Sequence, residues 1–140
     1  DVREDKVKIK LNPVSNTIKG KRIVLVDDSI VRGTTCARIV KLLRDAGAKE
    51  IHLRSSAPQF LNPCYYGTDI ASKDVLIACN HTIDEMTSIF GVDSLGFLRM
   101  EDVVKLGEGG DCKGYCMACF DGNYPTEPPT TTNRNKFYDV

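Results

Sequence analysis

The stretch RIVLVDDSIVRGTT, residues 22–35, decides the fold of this chain. The residues after Arg22 are continuously apolar, which is typical of a strand that is buried on both faces of a parallel sheet. Asp27 and Asp28 end this strand, and a loop that contains Gly33 follows them. The stretch therefore predicts a buried strand and then a loop that leads into the next element.

A helix is expected directly after the loop, because apolar residues recur there at helical spacing. Thr34 or Thr35 is expected to cap this helix, and Gly47 to end it. A second strand over residues 50–55 completes a β-loop-α-β unit, whose crossover is right-handed in nearly all known sheets. These elements indicate an α/β fold, with a parallel sheet flanked by helices.

Further elements are predicted along the chain. A helical stretch near residues 72–78 follows a loop that is rich in proline and aromatic residues. Thr82 and Glu85 form a capping box that opens another helix, which Gly91 closes. The remaining predicted elements are a short strand over residues 95–98 and a short helix over residues 101–106.

The chain is predicted to divide after Gly107. Residues 1–107 are expected to form the α/β part, with a short basic strand over residues 6–11 near its start. Residues 108–140 are rich in Gly, Cys, Pro and Thr and contain too few apolar residues for a core of their own. This cysteine-rich tail is therefore expected to pack back on the α/β part.

The composition excludes several classes of protein. The chain has 140 residues, with 19 Lys and Arg residues balancing 19 Asp and Glu residues, whereas dedicated nucleic-acid-binding proteins are usually strongly basic. The longest uncharged run, residues 55–68, contains Pro58 and Pro63 and is too short to span a bilayer, and the N-terminus has no apolar signal-peptide core. The sequence predicts a cytoplasmic protein that binds neither nucleic acid nor membrane.

Asp27 and Asp28 lie where open α/β sheets bind ligands, at the carboxyl end of a strand. Two adjacent carboxylates can accept hydrogen bonds from neighbouring sugar hydroxyls or bind a hydrated Mg²⁺. The loop over residues 29–35 supplies successive backbone N–H groups, two Thr hydroxyls and a helix N-terminus, which together suit a phosphate group. The loop lacks the Lys of the ATP-binding phosphate loop, so ATP hydrolysis is not indicated. A bare D-D-x-x-x-x-G pattern fits a solvated strand-to-helix connection equally well.

The full string VLVDDSIVRGTT, residues 24–35, is more specific, because it resembles the ribose-phosphate fingerprint of type I phosphoribosyltransferases. Within these enzymes, the chain resembles the C-terminal part of the glutamine phosphoribosylpyrophosphate amidotransferase family over roughly residues 6–127. The stretches that carry this wider resemblance are KLNPV (10–14), RDAGAKEIH (44–52), NPCYYGTD (62–69), IDEMTSIFGVDSL (83–95) and CMACFDGNYPTE (116–127).

The resemblance implies an enzyme of the first committed step of purine synthesis. In that step, ammonia from glutamine displaces the pyrophosphate of phosphoribosyl pyrophosphate and forms 5-phosphoribosylamine. The resemblance also implies the type I phosphoribosyltransferase fold, here incomplete, because the glutamine-hydrolysing domain and the pyrophosphate-binding segment of the family lie upstream of the matched residues. We therefore expect an excised and inactive part of a homo-oligomeric enzyme that purine nucleotides inhibit by feedback.

The same resemblance implies roles for individual residues. Asp27 and Asp28 would bind the ribose hydroxyls and Mg²⁺. The loop that would hold the 5-phosphate consists of Ser29, Ile30, Val31, Arg32, Gly33, Thr34 and Thr35. Lys8 and Lys10 lie on one basic face of the predicted first strand and resemble a segment beside the mobile active-site loop of the family. Lys10 is therefore predicted to contact the pyrophosphate, and a solvated strand edge is the alternative.

The cysteines suggest a metal. Three of the six, Cys112, Cys116 and Cys119, fall within eight consecutive residues, and this clustering in a cytosolic protein points to a metal instead of disulfides. Cys116 and Cys119 form a C-x-x-C pair, and Cys64 can supply a third thiolate. The resemblance implies that Cys64, Cys116 and Cys119 bind a structural 4Fe-4S cluster whose fourth ligand lies upstream. A zinc site that includes Cys112 is the alternative.

Several other reactive side chains are expected to have structural roles. Cys36 and Cys79 are predicted to be small buried apolar residues. His52 and His81 have no matched catalytic partner nearby in the sequence, so both are predicted to be structural histidines.

Two other functions would share the ribose-phosphate fingerprint. One is a salvage phosphoribosyltransferase that acts on a free base. The other is a non-catalytic regulator that senses phosphoribosyl pyrophosphate. Neither function requires a cysteine-rich tail, so the transferase that uses glutamine is the leading interpretation.

Overall fold

The computed structural model describes residues 15–106 and 115–128. The predicted strand over residues 6–11, Lys10 and Cys112 lie outside these ranges. The helices and strands follow one another as α1 (Ser15–Ile18), β1 (Arg22–Asp27), α2 (Thr34–Asp45), β2 (Glu50–Ser55), a 3-10 turn (Lys73–Val75), α3 (Ile77–Asn80), α4 (Ile83–Phe90), β3 (Ser94–Phe97), α5 (Met100–Leu106) and α6 (Ala118–Asp121). In the described ranges, every helix is too short or too polar to cross a bilayer.

The three strands form one parallel sheet in the order β1-β2-β3, as the β-loop-α-β pattern predicted. Asp27, Ser55 and Phe97 end the three strands and lie side by side in the register of the sheet. The carboxyl ends of the strands therefore meet at one edge. This edge is where parallel α/β sheets usually bind their ligands.

The prediction that β1 is buried on both faces is wrong for the described residues. Val24 and Val26 are 64% and 65% exposed. Their neighbours Ile23 and Leu25 point to the other face and pack against the core. The reason is that the helices of the core cover only one face of the sheet, and β1 has a paired strand on one side only among the described residues.

The main core lies between the covered face of the sheet and helices α2 and α4. Ile51 and Leu53 of the central strand are fully buried there. The helices contribute the buried side chains Val40, Leu43, Met86 and Phe90. Burial of a Leu or Ile side chain stabilises a fold by about 1.5–3 kcal/mol, so this covered face holds the strands in register.

The helix ends follow the sequence signals with one exception. The capping box of Thr82 and Glu85 is confirmed, and Gly91 ends α4 in the left-handed conformation. The prediction that Thr34 or Thr35 caps α2 is wrong, because Gly33 is the N-cap residue and no side chain caps the helix. The first N–H groups of α2 therefore lack the side-chain acceptor that a capping Thr would supply.

Small shifts separate the other predicted elements from the observed ones. The stretch predicted near residues 72–78 consists of the 3-10 turn and α3, and the predicted strand over residues 95–98 begins one residue earlier, at Ser94. Asp93, just before β3, joins this strand to the rest of the sheet. Its Oδ2 accepts hydrogen bonds from the backbone N–H of Ile51 and from Arg44 Nη2, both at 2.7 Å.

Two of the predictions for single side chains have clear outcomes. His52 is a structural histidine, because its ring nitrogens lie 2.8 Å from Ser94 Oγ and 3.3 Å from Glu50 Oε2. Cys79 was predicted to be buried, and this is wrong. It is exposed at the end of α3, where its thiol donates to the carbonyl of Leu61 at 3.3 Å.

The described part of the tail, residues 115–128, packs on the loop that follows β2. The backbone N–H groups of Leu61 and Asn62 both donate to the carbonyl of Cys119 at 3.0 Å. The Phe60 and Phe120 rings lie 4.8 Å apart, and the Tyr124 hydroxyl donates to the Pro63 carbonyl at 2.7 Å. These contacts complete a second core cluster, whose buried members are Phe60, Ile70 and Leu76.

Candidate functional site

A pocket of about 410 Å³ lies at the carboxyl end of β1. Asp27 and residues 29–36 form one side of it, and Thr68, Asp69 and Ile70 form the other. The strand end, the loop and the first turn of α2 therefore surround one volume, as the sequence predicted for a ligand site. Lys10, predicted to reach the same ligand, lies outside the described residues.

Two donors of the chain orient the Asp27 carboxylate. Its Oδ1 accepts a hydrogen bond from the backbone N–H of Asp28 at 3.1 Å, and its Oδ2 accepts one from the Cys36 thiol at 2.9 Å. Each carboxylate oxygen can accept about two hydrogen bonds, so both oxygens keep acceptor capacity toward the pocket. Asp27 can therefore bind hydroxyl groups or a hard cation there.

Asp28 differs from its neighbour. Its side chain is exposed, accepts a bond from the Ser29 hydroxyl at 3.3 Å, and does not line the pocket. The backbone around the two aspartates is held by Ser56, whose hydroxyl donates to the carbonyl oxygens of Asp27 and Asp28 at 3.1 and 3.3 Å. The structure thus brings Asp27 into the pocket wall and leaves Asp28 outside it.

The loop presents backbone donors to the pocket. Among the described residues, no hydrogen bond runs from the backbone N–H groups of residues 29–35 to another group of the chain. The loop is nevertheless held in place, because the Val31 carbonyl accepts a bond from the N–H of Ile77 at 3.0 Å. Unpaired N–H groups at the start of a helix attract anions such as phosphate.

The side chains of the predicted loop have different roles. Ile30 is fully buried in the main core, so its side chain is committed to the core, whereas Val31 is half-buried and packs against the second cluster. Arg32, Thr34 and Thr35 are exposed in the pocket wall and can offer a guanidinium and two hydroxyls.

Gly33 is required for a reason that the sequence alone did not reveal. Its φ of 76° lies in the left-handed region. A Cβ added at this position would lie only 2.5 Å from Cε1 of Phe90 and 3.0 Å from Cδ1 of Ile77. The glycine therefore allows the loop to pack closely on the core beneath it, in addition to presenting its backbone to the pocket.

Sequence reasoning missed the far wall of the pocket and the role of Cys36. Thr68, Asp69 and Ile70 reach the site because the chain folds back, with the Cys64 N–H donating to the Ile70 carbonyl at 3.0 Å. Only Gly67 hinted at a turn there. Cys36 is buried, as predicted, and this burial, together with its bond to Asp27, raises the pKa of its thiol to about 12.

A second pocket, of about 210 Å³, lies beside the first. It is lined by Cys64, Cys116 and Cys119, which were predicted to act together, and by Thr68, which also lines the first pocket. Burial and then the neighbouring Cys64 raise the pKa of the Cys119 thiol to about 11. Within residues 15–106 and 115–128, no three Cys, His, Asp or Glu side chains converge closely enough to hold a single metal ion.

Comparison with known families gives one match that covers most of the chain. The family described as phosphoribosyl transferase domain matches residues 2–95, which include β1, the loop and α2. The matched range also includes the far wall of the first pocket. All residues that line the first pocket therefore lie within the matched range.

Curated relatives and solved structures are similar over most of the chain. Amidophosphoribosyltransferase from Methanocaldococcus jannaschii is 54% identical over 89% of the chain, and that from Archaeoglobus fulgidus is 47% identical over 91%. The chain spans 26% and 28% of their lengths.

The solved glutamine phosphoribosylpyrophosphate amidotransferase from B. subtilis, complexed with ADP and GMP, is 45% identical with a TM-score of 0.71 over 81% of this chain and 26% of that one. A structure described as the allosteric regulatory enzyme of purine biosynthesis is also 45% identical, with a TM-score of 0.74 over 86% of this chain and 26% of that one.

Proposed function

This chain belongs to the phosphoribosyl transferase domain family, and from this premise we infer that its first pocket binds the ribose 5-phosphate part of phosphoribosyl pyrophosphate. The observation that carries the proposal is the loop over residues 29–35, whose backbone N–H groups make no hydrogen bond to the described part of the chain and lie beside the oriented carboxylate of Asp27. Donors at one end and acceptors at the other match a sugar phosphate, which has a dianionic phosphate at one end and hydroxyls at the other.

The loop would hold the 5-phosphate. Its N–H groups and the N-terminus of α2 supply partial positive charge, and Arg32 adds a full positive charge at the rim. The hydroxyls of Thr34 and Thr35 can donate to the remaining phosphate oxygens. The rigid attachment of the loop at Val31 and Gly33 means that little ordering is needed when the phosphate binds.

The carboxylates would bind the ribose. Asp27 lies in the wall of the pocket and would accept hydrogen bonds from a ribose hydroxyl, and Asp28 would reach the sugar or its metal ion from the rim. Carboxylate oxygens are the donors that Mg²⁺ prefers, so the pair is chemically suited to that ion. When bound, Mg²⁺ would neutralise charge on the pyrophosphate.

We assign the chain to an amidophosphoribosyltransferase, by analogy with the relatives that carry this name. Ammonia would attack C1 of the ribose, a C–N bond would form, and the C–O bond to pyrophosphate would break with its electron pair leaving on the pyrophosphate. Positive charge develops on the sugar ring in such displacements, so the negative charge of Asp27 would stabilise the transition state. This proposal also includes glutamine as the ammonia source, contact of Lys10 with the pyrophosphate, feedback by purine nucleotides, a homo-oligomeric assembly and a cytoplasmic location.

Asp27→Asn tests the ribose-phosphate site. In the full-length native protein, this change should weaken the binding of phosphoribosyl pyrophosphate with Mg²⁺ by about ten- to hundredfold, because a charged acceptor contributes about 1.5–3 kcal/mol. Isothermal titration calorimetry measures this effect. Asp45→Asn, which removes an exposed carboxylate at the far end of α2, should leave the affinity unchanged. Equal affinity of the Asp27 variant and the unchanged protein would refute the site.

Turnover separates the three candidate functions. An amidophosphoribosyltransferase releases pyrophosphate when ammonia is supplied in place of glutamine. A salvage enzyme would release it only with a free base, and a regulator would bind phosphoribosyl pyrophosphate without turnover. The full-length protein should release pyrophosphate from phosphoribosyl pyrophosphate when ammonia is supplied and no free base is present.

We also propose that Cys64, Cys116 and Cys119 bind a 4Fe-4S cluster with a structural role. The three thiols line one pocket, and Cys116 and Cys119 have the C-x-x-C spacing that lets two thiolates bind one iron-sulfur cluster. Protein purified anaerobically should contain iron and acid-labile sulfide, and Cys116→Ser should remove both. Stoichiometric zinc without iron or sulfide would overturn this proposal and leave the sugar-phosphate site intact.

A further inference from the structure

We propose that Cys36 is a positioning residue of the ribose-phosphate pocket, and that its thiol orients Asp27 for the substrate. This inference rests on the proposed function, because it assigns a purpose to the hydrogen bond between these two residues. A small apolar residue, as the sequence predicted for this position, would fill the space without donating a hydrogen bond.

The geometry ties Cys36 to both the core and the site. Cys36 is the third residue of α2, is 2% exposed, and belongs to the main core cluster. It also lines the pocket, and its Sγ lies 2.9 Å from Asp27 Oδ2. This distance is short for a hydrogen bond that involves sulfur. The thiol is therefore a buried donor whose position is restricted by packing in the core.

The carboxylate needs such a donor because its terminal torsion is soft. An Asp side chain rotates broadly about the bond to its carboxylate, so a single hydrogen bond leaves the plane of the group poorly defined. Asp27 has two donors, one on each oxygen: the Asp28 N–H at 3.1 Å and the Cys36 thiol. Together they set the carboxylate plane before a ligand arrives. The acceptor capacity that remains on each oxygen then points in a fixed direction.

Cys36→Ala and Cys36→Ser test the inference in the full-length native protein. The Ala variant loses the donor, so KM for phosphoribosyl pyrophosphate should rise about fivefold, since a net hydrogen bond contributes about 1 kcal/mol. The turnover number should change less, because the carboxylate contacts the ribose in both the bound substrate and the transition state. The Ser variant keeps a donor at the same position and should restore KM to within about twofold.

Val40→Ala is the matched control for packing. Val40 is buried on the same face of α2, one turn further along, and donates no hydrogen bond from its side chain. This variant should lower Tm as much as Cys36→Ala or more and leave KM unchanged. If Cys36→Ala folds too poorly to assay, Cys36→Val offers a second apolar side chain without a donor.

A double-mutant cycle tests whether Cys36 acts through Asp27. In the Asp27→Asn background, Cys36→Ala should raise KM by much less than fivefold, because the charged acceptor is already gone. Additive effects, a Ser variant as impaired as the Ala variant, or a Cys36→Ala change confined to Tm would each overturn the inference. These outcomes differ from failure of the proposed function, in which Asp27→Asn by itself leaves the affinity for phosphoribosyl pyrophosphate unchanged.

Discussion

The two pockets of this molecule are built in opposite ways. The wall of the first pocket that carries the proposed chemistry comes from one short segment, Asp27 and residues 29–36, which includes a strand end, a loop and a helix start. The second pocket gathers Cys64 from the loop after β2, Cys119 from α6 and Tyr124 from the residues that follow α6. A pocket made by local backbone geometry has a sequence signature, whereas a pocket made by distant side chains depends on how the chain packs.

The pockets are also connected. Thr68 lines both of them, and the pairing of Cys64 with Ile70 joins the wall of one to the wall of the other. Val31 of the loop over residues 29–35 and Cys119 of the tail both pack on the second core cluster. Perturbing one pocket while observing the other therefore measures how independent the two regions are.

The largest effect is expected from Gly33→Ala. The added Cβ would meet the Phe90 ring at 2.5 Å, and the left-handed φ of 76° disfavours a side chain. Strain of about 1–2 kcal/mol and overpacking of about 1–3 kcal/mol should together lower the free energy of unfolding by about 2–5 kcal/mol. Urea denaturation measures this loss.

Gly20→Ala is the control for the Gly33 substitution. Gly20 has a similar φ of 72°, and an added Cβ there would have no heavy atom of residues 15–106 or 115–128 within 4 Å. The Gly20→Ala variant should therefore lose only the part of the free energy of unfolding that is due to the backbone conformation. If both variants lose the same stability, Phe90 does not restrict the loop, and the first pocket would depend on backbone conformation alone.

An intermediate effect is expected from Phe120→Ala. Phe120 packs 4.8 Å from Phe60 and is half-buried, so its removal should cost about 2 kcal/mol, roughly half the cost for a fully buried ring. Hydrogen exchange should increase in residues 60–64 and 117–122, while residues 34–45 keep their protection. Tyr115→Ala, which removes a 61% exposed ring from the same segment, should change neither the free energy of unfolding nor the hydrogen exchange of these residues. An equal increase of hydrogen exchange in α2 would mean that the two pockets form one cooperative unit.

The smallest effect is expected on the pH dependence of Tm, when Asp93 is replaced and the pH is lowered. The backbone N–H of Ile51 and then Arg44 lower the pKa of Asp93, which joins the amino end of β3 to the rest of the sheet. A carboxyl group whose pKa is lowered on folding stabilises the protein above its ordinary pKa of 3.8, and this contribution is lost as the pH falls below that value. The Tm of Asp93→Asn should therefore be lower than that of the unchanged protein at pH 7, and the difference should shrink as the pH falls below about 4.

The second pocket offers a contrast for the acid experiment. Among the described residues, the side chains that line it include Cys64, Cys119 and Tyr124 and no carboxylate. Protection factors, which are corrected for the pH dependence of intrinsic exchange, should therefore change less in residues 117–120 between pH 7 and pH 3 than in the β2–β3 pairing. A larger change in the tail would contradict the assignment of the acid-sensitive contact to the sheet.

Much of the fold was predictable from local patterns. The strand bounds at residues 50–55, the capping box at Thr82 and the end of α4 at Gly91 depend on neighbours within a few residues, and all three are confirmed. The exposed face of β1 was not predictable. Val24 reads as a core residue in the sequence, and whether a helix covers it depends on elements far away in the chain.

The sequence by itself determined that a strand ends in Asp27, that a glycine-containing loop follows, and that a helix begins where that loop ends. These features depend on apolar periodicity and on the conformational freedom of single residues, which act over a few positions. Only the tertiary structure decided that Asp27, and not Asp28, lines the pocket, that Cys36 orients it, and that Thr68 closes the opposite wall. Those outcomes depend on contacts between residues that are distant in the chain, and such contacts form only when the core brings the separate elements together.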